Sequence, residues 1–299
     1  MKIGLVAMSG IRACDEELLQ MGLTLPGFVE RSRVIASLPS LGLLTLAGMT
    51  PPEHDLHYLE VADLDSGLNL QEQLWTFDLI AISSFSAQIY EAYQLADMVR
   101  RKNVPVVMGG LHVSSLPKEA EKHCDAVGIG EGELSWLDVL EDLGKGNLRP
   151  FYGDKAGEFD LAESPMPAFE LLDIDKYNRL TVQTSRGCAH RCEFCASSIM
   201  LTNRYKQKPA EKVLAEIDKI KTLWSHPFIE LADDNSFVNK QYWKGLLPEL
   251  KKRKIRWFTE TALSISRDAE LLQLLRESGC AQVLIGFESV TQAALDGLE

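Results

Sequence analysis

The chain contains no uninterrupted apolar run of about 18 residues, the length a membrane-spanning helix needs, so no span is expected. It also has no secretory leader by pattern: Met1–Met8 is apolar but too short, and reads as a first β-strand. The expected compartment is the cytoplasm, where thiols stay reduced. Positive charge is in deficit. Lys and Arg number 31 against 43 Asp and Glu, and the net charge of −12 argues against sequence-wide steering toward nucleic acid. Cysteine is scarce, with 6 in the chain, and unevenly placed. Cys14, Cys124 and Cys280 stand alone and each reads as a small core residue. What remains is ordinary for a globular protein: 45% hydrophobic and 25% charged residues, over 299 residues that leave room for two domains.

The other three cysteines sit close together as Cys188-x3-Cys192-x2-Cys195, within Thr184-Ser185-Arg186-Gly187-Cys188-Ala189-His190-Arg191-Cys192-Glu193-Phe194-Cys195. Three thiolates on so short a loop can converge on a metal or an iron–sulfur cluster. Arg186, His190 and Arg191 surround them with positive charge, which favours the ligating thiolate. Gly187 lets the backbone turn just before the first cysteine. Structural zinc sites usually build on two Cys-x2-Cys-like pairs, and no second pair exists. Zinc completed by a fourth ligand, or simply buried thiols, remain the competing readings of the residues alone.

Ahead of this loop, strands alternate with helices. Apolar strands are expected at 3–8, 56–61, 78–84, 104–108 and 125–129, with helices at about 40–48, 68–75, 88–101 and up to about Leu143. Ser40 can cap the first helix and Pro51-Pro52 ends it. Residues 9–38, punctuated by Gly10, Gly22, Pro26 and Gly27, read as an irregular loop that covers a site. The alternation predicts a doubly wound parallel sheet, which binds ligands at the carboxyl ends of its strands. Those ends carry Ser83-Ser84, Gly109-Gly110 and Gly130-Glu131-Gly132, small residues that let a large flat ligand approach the backbone or that simply form tight turns. A nicotinamide site does not fit. Gly128-x-Gly130-x-Gly132 lacks the Gly-x-Gly-x-x-Gly spacing, follows the last strand rather than the first, and sets Glu131 and Glu133 against a pyrophosphate.

Residues 144–178, broken by Gly146, Pro150, Gly153, Gly157, Pro165 and Pro167, read as a linker. Beyond it, four strand–helix units are expected, with strands at 179–184, 227–232, 256–260 and 282–289. The first delivers the cysteine loop. Asp233, Asp234, Glu260 and Glu288 stand at the carboxyl ends of the others, where barrel active sites are built.

Cys188-x3-Cys192-x2-Cys195, with Phe194 before the last cysteine, resembles the signature loop of the radical S-adenosylmethionine superfamily. The first 143 residues resemble the cobalamin-binding domain fused ahead of many of those enzymes. The matching pieces are Leu41-Gly42-Leu43-Leu44 through Thr50-Pro51-Pro52-Glu53-His54, then Val107-Met108-Gly109-Gly110-Leu111-His112, then Gly130-Glu131-Gly132-Glu133. Ser164-Pro165-Met166-Pro167-Ala168 resembles the segment leading into the catalytic barrel. The resemblance implies an α/β chain in three parts: a Rossmann-like cobalamin domain at 1–143, a linker at 144–178, and a partial TIM-like radical barrel at 179–299. Family barrels have about six strand–helix units, so the sequence reads as the front part of a longer enzyme or as a shortened relative.

The same resemblance implies a 4Fe–4S cluster on Cys188, Cys192 and Cys195, with S-adenosylmethionine on the open iron. Phe194, Asp233, Asp234, Glu260 and Glu288 are the implied contacts to S-adenosylmethionine: Asp233 and Asp234 near its methionyl end, Glu288 near its ribose or amino group. Ser83, Ser84, Gly109, Gly110, His112, Gly130 and Glu131 are the implied cobalamin contacts. No histidine occupies the loop after the first strand, so cobalamin is expected without the Asp-x-His-x-x-Gly ligand; Asp55-Leu56-His57 is only a partial lookalike. The implied reaction is reductive cleavage of S-adenosylmethionine to a 5′-deoxyadenosyl radical, followed by methyl transfer from methylcobalamin to an unactivated carbon or to phosphorus. Flavodoxin or ferredoxin would supply the electron. A radical rearrangement or cyclisation without net methylation, and a non-catalytic cobalamin or redox sensor, are the alternatives. No general base is singled out, and the substrate, whether lipid, peptide, tetrapyrrole or antibiotic precursor, is not specified.

Overall fold

The computed structural model describes residues 1–8, 38–62, 64–154, 156–190, 192, 195 and 204–291. The loop expected over 9–38 falls, except for Leu38, outside the described residues, as do Cys14 and Phe194. The chain divides into two compact units: Met1–Phe159 with Pro165–Asn178, and Asp160–Ser164 with Arg179–Glu299.

The first unit is a six-stranded sheet in the order β2-β1-β3-β4-β5-β6, every neighbouring pair parallel. Its strands are β1 (Lys2–Met8), β2 (Asp55–Glu60), β3 (Leu79–Ser84), β4 (Val106–Gly109), β5 (Ala126–Gly130) and β6 (Phe151–Asp154). β1 and β3 are almost wholly apolar and buried, the composition a strand needs when both faces of a parallel sheet are covered. One face packs Val6, Ile80, Ile82, Met108 and Val127 against α2 (Ile89–Arg100), through its Ala92, Leu95, Ala96 and Val99. The other packs Ile3, Leu5, Leu79, Ala81 and Val107 against α1 (Leu41–Met49) and α3 (Trp136–Gly144). α1 is almost uniformly apolar, so its start is marked by a cap: the Ser40 hydroxyl accepts from Leu43 N.

The stretch expected as a linker contributes to both units. Phe151–Asp154 becomes β6, paired parallel to β5, because Phe151 and Tyr152 alternate into the sheet. Pro165–Asn178 lies on the first unit: Ala168 N donates to Leu44 O at 3.0 Å, and the Tyr177 hydroxyl donates to Glu60 at 2.7 Å. Gly146 and Gly153, two of the residues that suggested a linker, take φ 67° and 79° within the first unit.

The second unit holds a four-stranded parallel sheet, β7 (Leu180–Val182), β10 (Phe228–Leu231), β11 (Arg256–Thr261) and β12 (Cys280–Ile285), side by side in that order. α4 (Ala210–Leu223), α5 (Lys240–Arg253) and α6 (Ala269–Glu277) alternate with these strands, as the sequence predicts. Trp243 and Trp257, both fully buried, stack at 6.0 Å between α5 and the sheet. The fourth strand begins two residues before the expected start and ends at Ile285, leaving Glu288 in the segment beyond it. A short antiparallel pair was not foreseen: β8 (Ser185–Arg186) with β9 (Lys206–Gln207). Among the described residues, no helix is long and apolar enough to cross a membrane.

Candidate functional site

The cysteine loop leaves the sheet after β7 and returns through β9, so β8 and β9 close its base like a clip. Ser185 faces Gln207 and Arg186 faces Lys206. Thr184 O reinforces the closure by accepting from Lys208 N at 2.8 Å and from the Gln207 side chain at 2.6 Å. Lys208 then runs inward to Glu216 on α4, an ion pair of 2.6 Å whose members are only 3% and 2% exposed. Burial pushes the Glu216 carboxyl up and the Lys208 ammonium beside it opposes the shift.

Asp233, at the end of β10, is buried and fastens the start of the loop. One carboxylate oxygen accepts from Thr184 N at 2.7 Å and Ser185 N at 2.9 Å. The other accepts from the Thr184 hydroxyl and from the Ser236 hydroxyl, the latter at 3.0 Å. Ser236 in turn bonds to Thr259 on β11. Four donors of its own chain occupy the carboxylate, so Asp233 holds the loop, where the resemblance implies a contact to the methionyl end of S-adenosylmethionine. Thr184, Ser185, Ser236 and Thr259 form this support; only the run of hydroxyl residues near each strand end hinted at it in the sequence.

Asp234 and Glu260 lie together at the open end of the sheet. Asp234 accepts from Gly187 N at 3.1 Å, and Gly187 takes φ 77°, the left-handed turn that delivers Cys188. The Glu260 carboxyl is raised, first by partial burial and then by the neighbouring Asp234 charge. Glu288 is exposed, sits at φ 49°, and folds its carboxylate back over Gly286.

The three clustered cysteines are each half-buried. Cys188 Sγ accepts from His190 N at 3.4 Å and faces the Asn235 amide nitrogen at 3.8 Å. Cys195 N donates to Cys192 O at 3.0 Å, a turn between the second and third thiols. Among the described residues, no group of three or more Cys, His, Asp or Glu is gathered tightly enough for a single metal ion. Burial pushes Cys124 up to about 12 and Cys280 up to about 11, which keeps both protonated and inert.

In the first unit, β1 is flanked by β2 on one side and β3 on the other. The carboxyl ends of β1 and β3 therefore form the topological switch point where such sheets bind ligands. Ser83 and Ser84 pair there with Ala7 and Met8, and Gly109 is the next neighbour of Ser83. Gly110 takes φ 106°, and a Cβ added to it would lie 3.3 Å from the Ser83 hydroxyl. His112 follows in a single helical turn. Its Nδ1 meets the Ser86 hydroxyl at 3.1 Å and its Nε2 meets Glu119 at 3.4 Å, so both ring nitrogens have partners. Tyr93 donates to the same Glu119 oxygen, and these two partners, His112 first, hold that carboxyl below its usual range. At the end of β5, Gly130 takes φ 76° and its N–H donates to Ser114, while Glu131 accepts from Phe159 N at 2.6 Å.

Comparison with known proteins matches these two regions separately. The family model described as the B12 binding domain matches residues 33–139, and that of the radical SAM superfamily matches 182–296. The bacteriochlorophyllide d C-8(2)-methyltransferase of Chlorobaculum tepidum is 27% identical over 86% of this chain and 58% of its own. An uncharacterized methyltransferase of Pyrococcus horikoshii is 29% identical over 86% of this chain and 62% of its own. The chain thus spans about three-fifths of the length of these relatives. Among solved structures, the cobalamin-dependent S-adenosylmethionine radical enzyme OxsB with aqua-cobalamin bound shares the fold. It superposes with a TM-score of 0.73 at 18% identity, over 98% of this chain and 45% of that one. With a B12-binding domain ahead of a radical S-adenosylmethionine domain, the chain belongs to the cobalamin-binding radical S-adenosylmethionine enzymes.

Proposed function

We propose that the chain carries the cofactor-binding parts of a cobalamin-dependent radical S-adenosylmethionine methyltransferase. The observation that carries the reading is the cysteine loop: three half-buried cysteines on a segment clamped at the carboxyl end of a parallel strand, with N–H groups directed at Cys188 Sγ. N–H donors around a sulfur suit a thiolate, and thiolates are the ligands of a 4Fe–4S cluster. Cys188, Cys192 and Cys195 would hold three irons, and Phe194 is assigned to S-adenosylmethionine by resemblance. When bound, the cofactors supply one-electron cleavage of S-adenosylmethionine and transfer of a methyl group to an unactivated carbon or to phosphorus.

The chain's own residues bind and orient. Asp234 and Glu260 put paired negative charge at the mouth of the sheet, which suits the ammonium and sulfonium of S-adenosylmethionine. Glu288 is assigned to its ribose or amino group, since a carboxylate accepts from either. Asp233 contributes by fixing Thr184 and Ser185. In the first unit, Ser83, Ser84, Gly109, Gly110 and Gly130 leave space for a flat corrin at the switch point. Glu131 shapes that edge by holding residue 159. His112, committed to Ser86 and Glu119, supports a cobalamin without histidine ligation. A one-electron reductant such as flavodoxin or ferredoxin would be the partner.

Anaerobic purification followed by iron, sulfide, cobalt and zinc analysis tests the proposal. About four iron per chain, as a 4Fe–4S cluster demands, with cobalt near one supports it. Iron without cobalt, even after cobalamin is supplied, removes the methyl transfer; zinc without iron removes the cluster.

A further inference from the structure

Asn235 is the fourth residue after β10, and its amide nitrogen points at Cys188 Sγ from 3.8 Å. The side chain is almost fully buried, at 8% exposure, so its orientation is set by protein neighbours. At its other end, the amide oxygen accepts from the Thr261 hydroxyl at 3.3 Å, at the end of β11. A threonine hydroxyl can donate or accept, so by itself it allows either amide orientation. A thiolate accepts only. The orientation that puts N–H on sulfur and leaves the oxygen for Thr261 is therefore the one in which both contacts are attractive. The amide is a donor aimed at the first cysteine and held from behind.

Hydrogen bonds to ligating sulfurs withdraw charge from an iron–sulfur cluster, stabilise the reduced form and raise its potential. We propose that Asn235 tunes the reduction potential at Cys188 by donating to its sulfur, and that Thr261 is the positioning residue that keeps the amide so turned. The proposal rests on the reading of Cys188 as a cluster ligand. His190 N, the second donor to this sulfur, is backbone and survives any side-chain change, so the Asn235 contribution can be isolated.

The test is a redox titration of the anaerobically reconstituted protein, followed by electron paramagnetic resonance, on wild type, Asn235→Leu, Thr261→Val and Thr261→Ser. At the wild-type midpoint, Asn235→Leu and Thr261→Val are expected to lower the reduced-to-oxidised ratio about three- to tenfold. That corresponds to about 28–59 mV at 59 mV per tenfold for one electron. Thr261→Ser keeps the hydroxyl and should hold the wild-type value. If Asn235→Leu binds no iron, Thr261→Val, nearly isosteric and further from the sulfur, carries the test. Potentials unchanged at full iron content overturn the tuning role while leaving the cluster intact. Loss of the cluster from both variants assigns the pair to holding the loop and also overturns it. A wild type without iron, or a Cys188→Ala variant that keeps a full cluster and an unchanged spectrum, instead overturns the underlying cluster reading.

Discussion

At the scale of single residues, the acids near the cysteine loop divide by what their oxygens touch. Asp233 is saturated by Thr184, Ser185 and Ser236. Asp233→Ala would strand two buried backbone N–H groups, each costing roughly 1–3 kcal/mol, so a loss of about 2–6 kcal/mol is expected in urea unfolding. Iron binding should fall with it. Asp234 and Glu260 face one another as like charges, and Glu260 is raised in the folded state. A raised acid gives its full stability below the unfolded carboxyl value of about 4.3, and that stability is lost as pH rises through the folded value. Glu260→Gln should therefore unfold at higher urea than wild type at about pH 7.5 and show no such gain at about pH 4, measured without S-adenosylmethionine. The advantage is small, because Glu260 is partly solvated and its repulsion is screened.

At the scale of elements, the clip and the docked segment are what a pattern reading overlooks. β8 and β9 are two residues each, too short to show an alternating pattern, and their partners lie about twenty residues apart in sequence. Pro165–Asn178 looked like a linker because Pro165 and Pro167 break a regular pattern whether a segment is free or docked. Gly48 on α1 shows the difference: a Cβ there would lie 1.9 Å from Met166 O, so the helix and the segment touch through backbone. Gly48→Ala is expected to destabilise the first unit by about 1–3 kcal/mol, the usual cost of overpacking. Urea unfolding and cobalt content should register the change, with iron content unaffected.

At the scale of the molecule, two compact units each present the carboxyl ends of a parallel sheet, and each is expected to hold its cofactor on its own residues. Single changes should separate them. Cys188→Ala is expected to lose iron and retain cobalt. Gly110→Val is expected to lose cobalt and retain iron, because valine is strained at φ 106° and its side chain would crowd Ser83. Paired metal analysis of the two variants checks both outcomes, and a variant that loses both metals would refute the independence.

The local sequence determined the elements that carry continuous or periodic apolar patterns, together with the thiol spacing. β1 and β3 read as strands and Ser40 as a helix cap, because each signal lies within a few adjacent residues. Tertiary structure decided everything that depends on distant partners. Asp233 and Asp234 look alike in sequence; burial against Thr184 and Ser185, nearly fifty positions away, makes one a clamp and leaves the other at the mouth. Asn235 follows the acidic pair as part of one motif in the sequence, but only folding brought its amide to Cys188 and its oxygen to Thr261. A hydrogen bond acts over about 3 Å of space, whatever the separation along the chain.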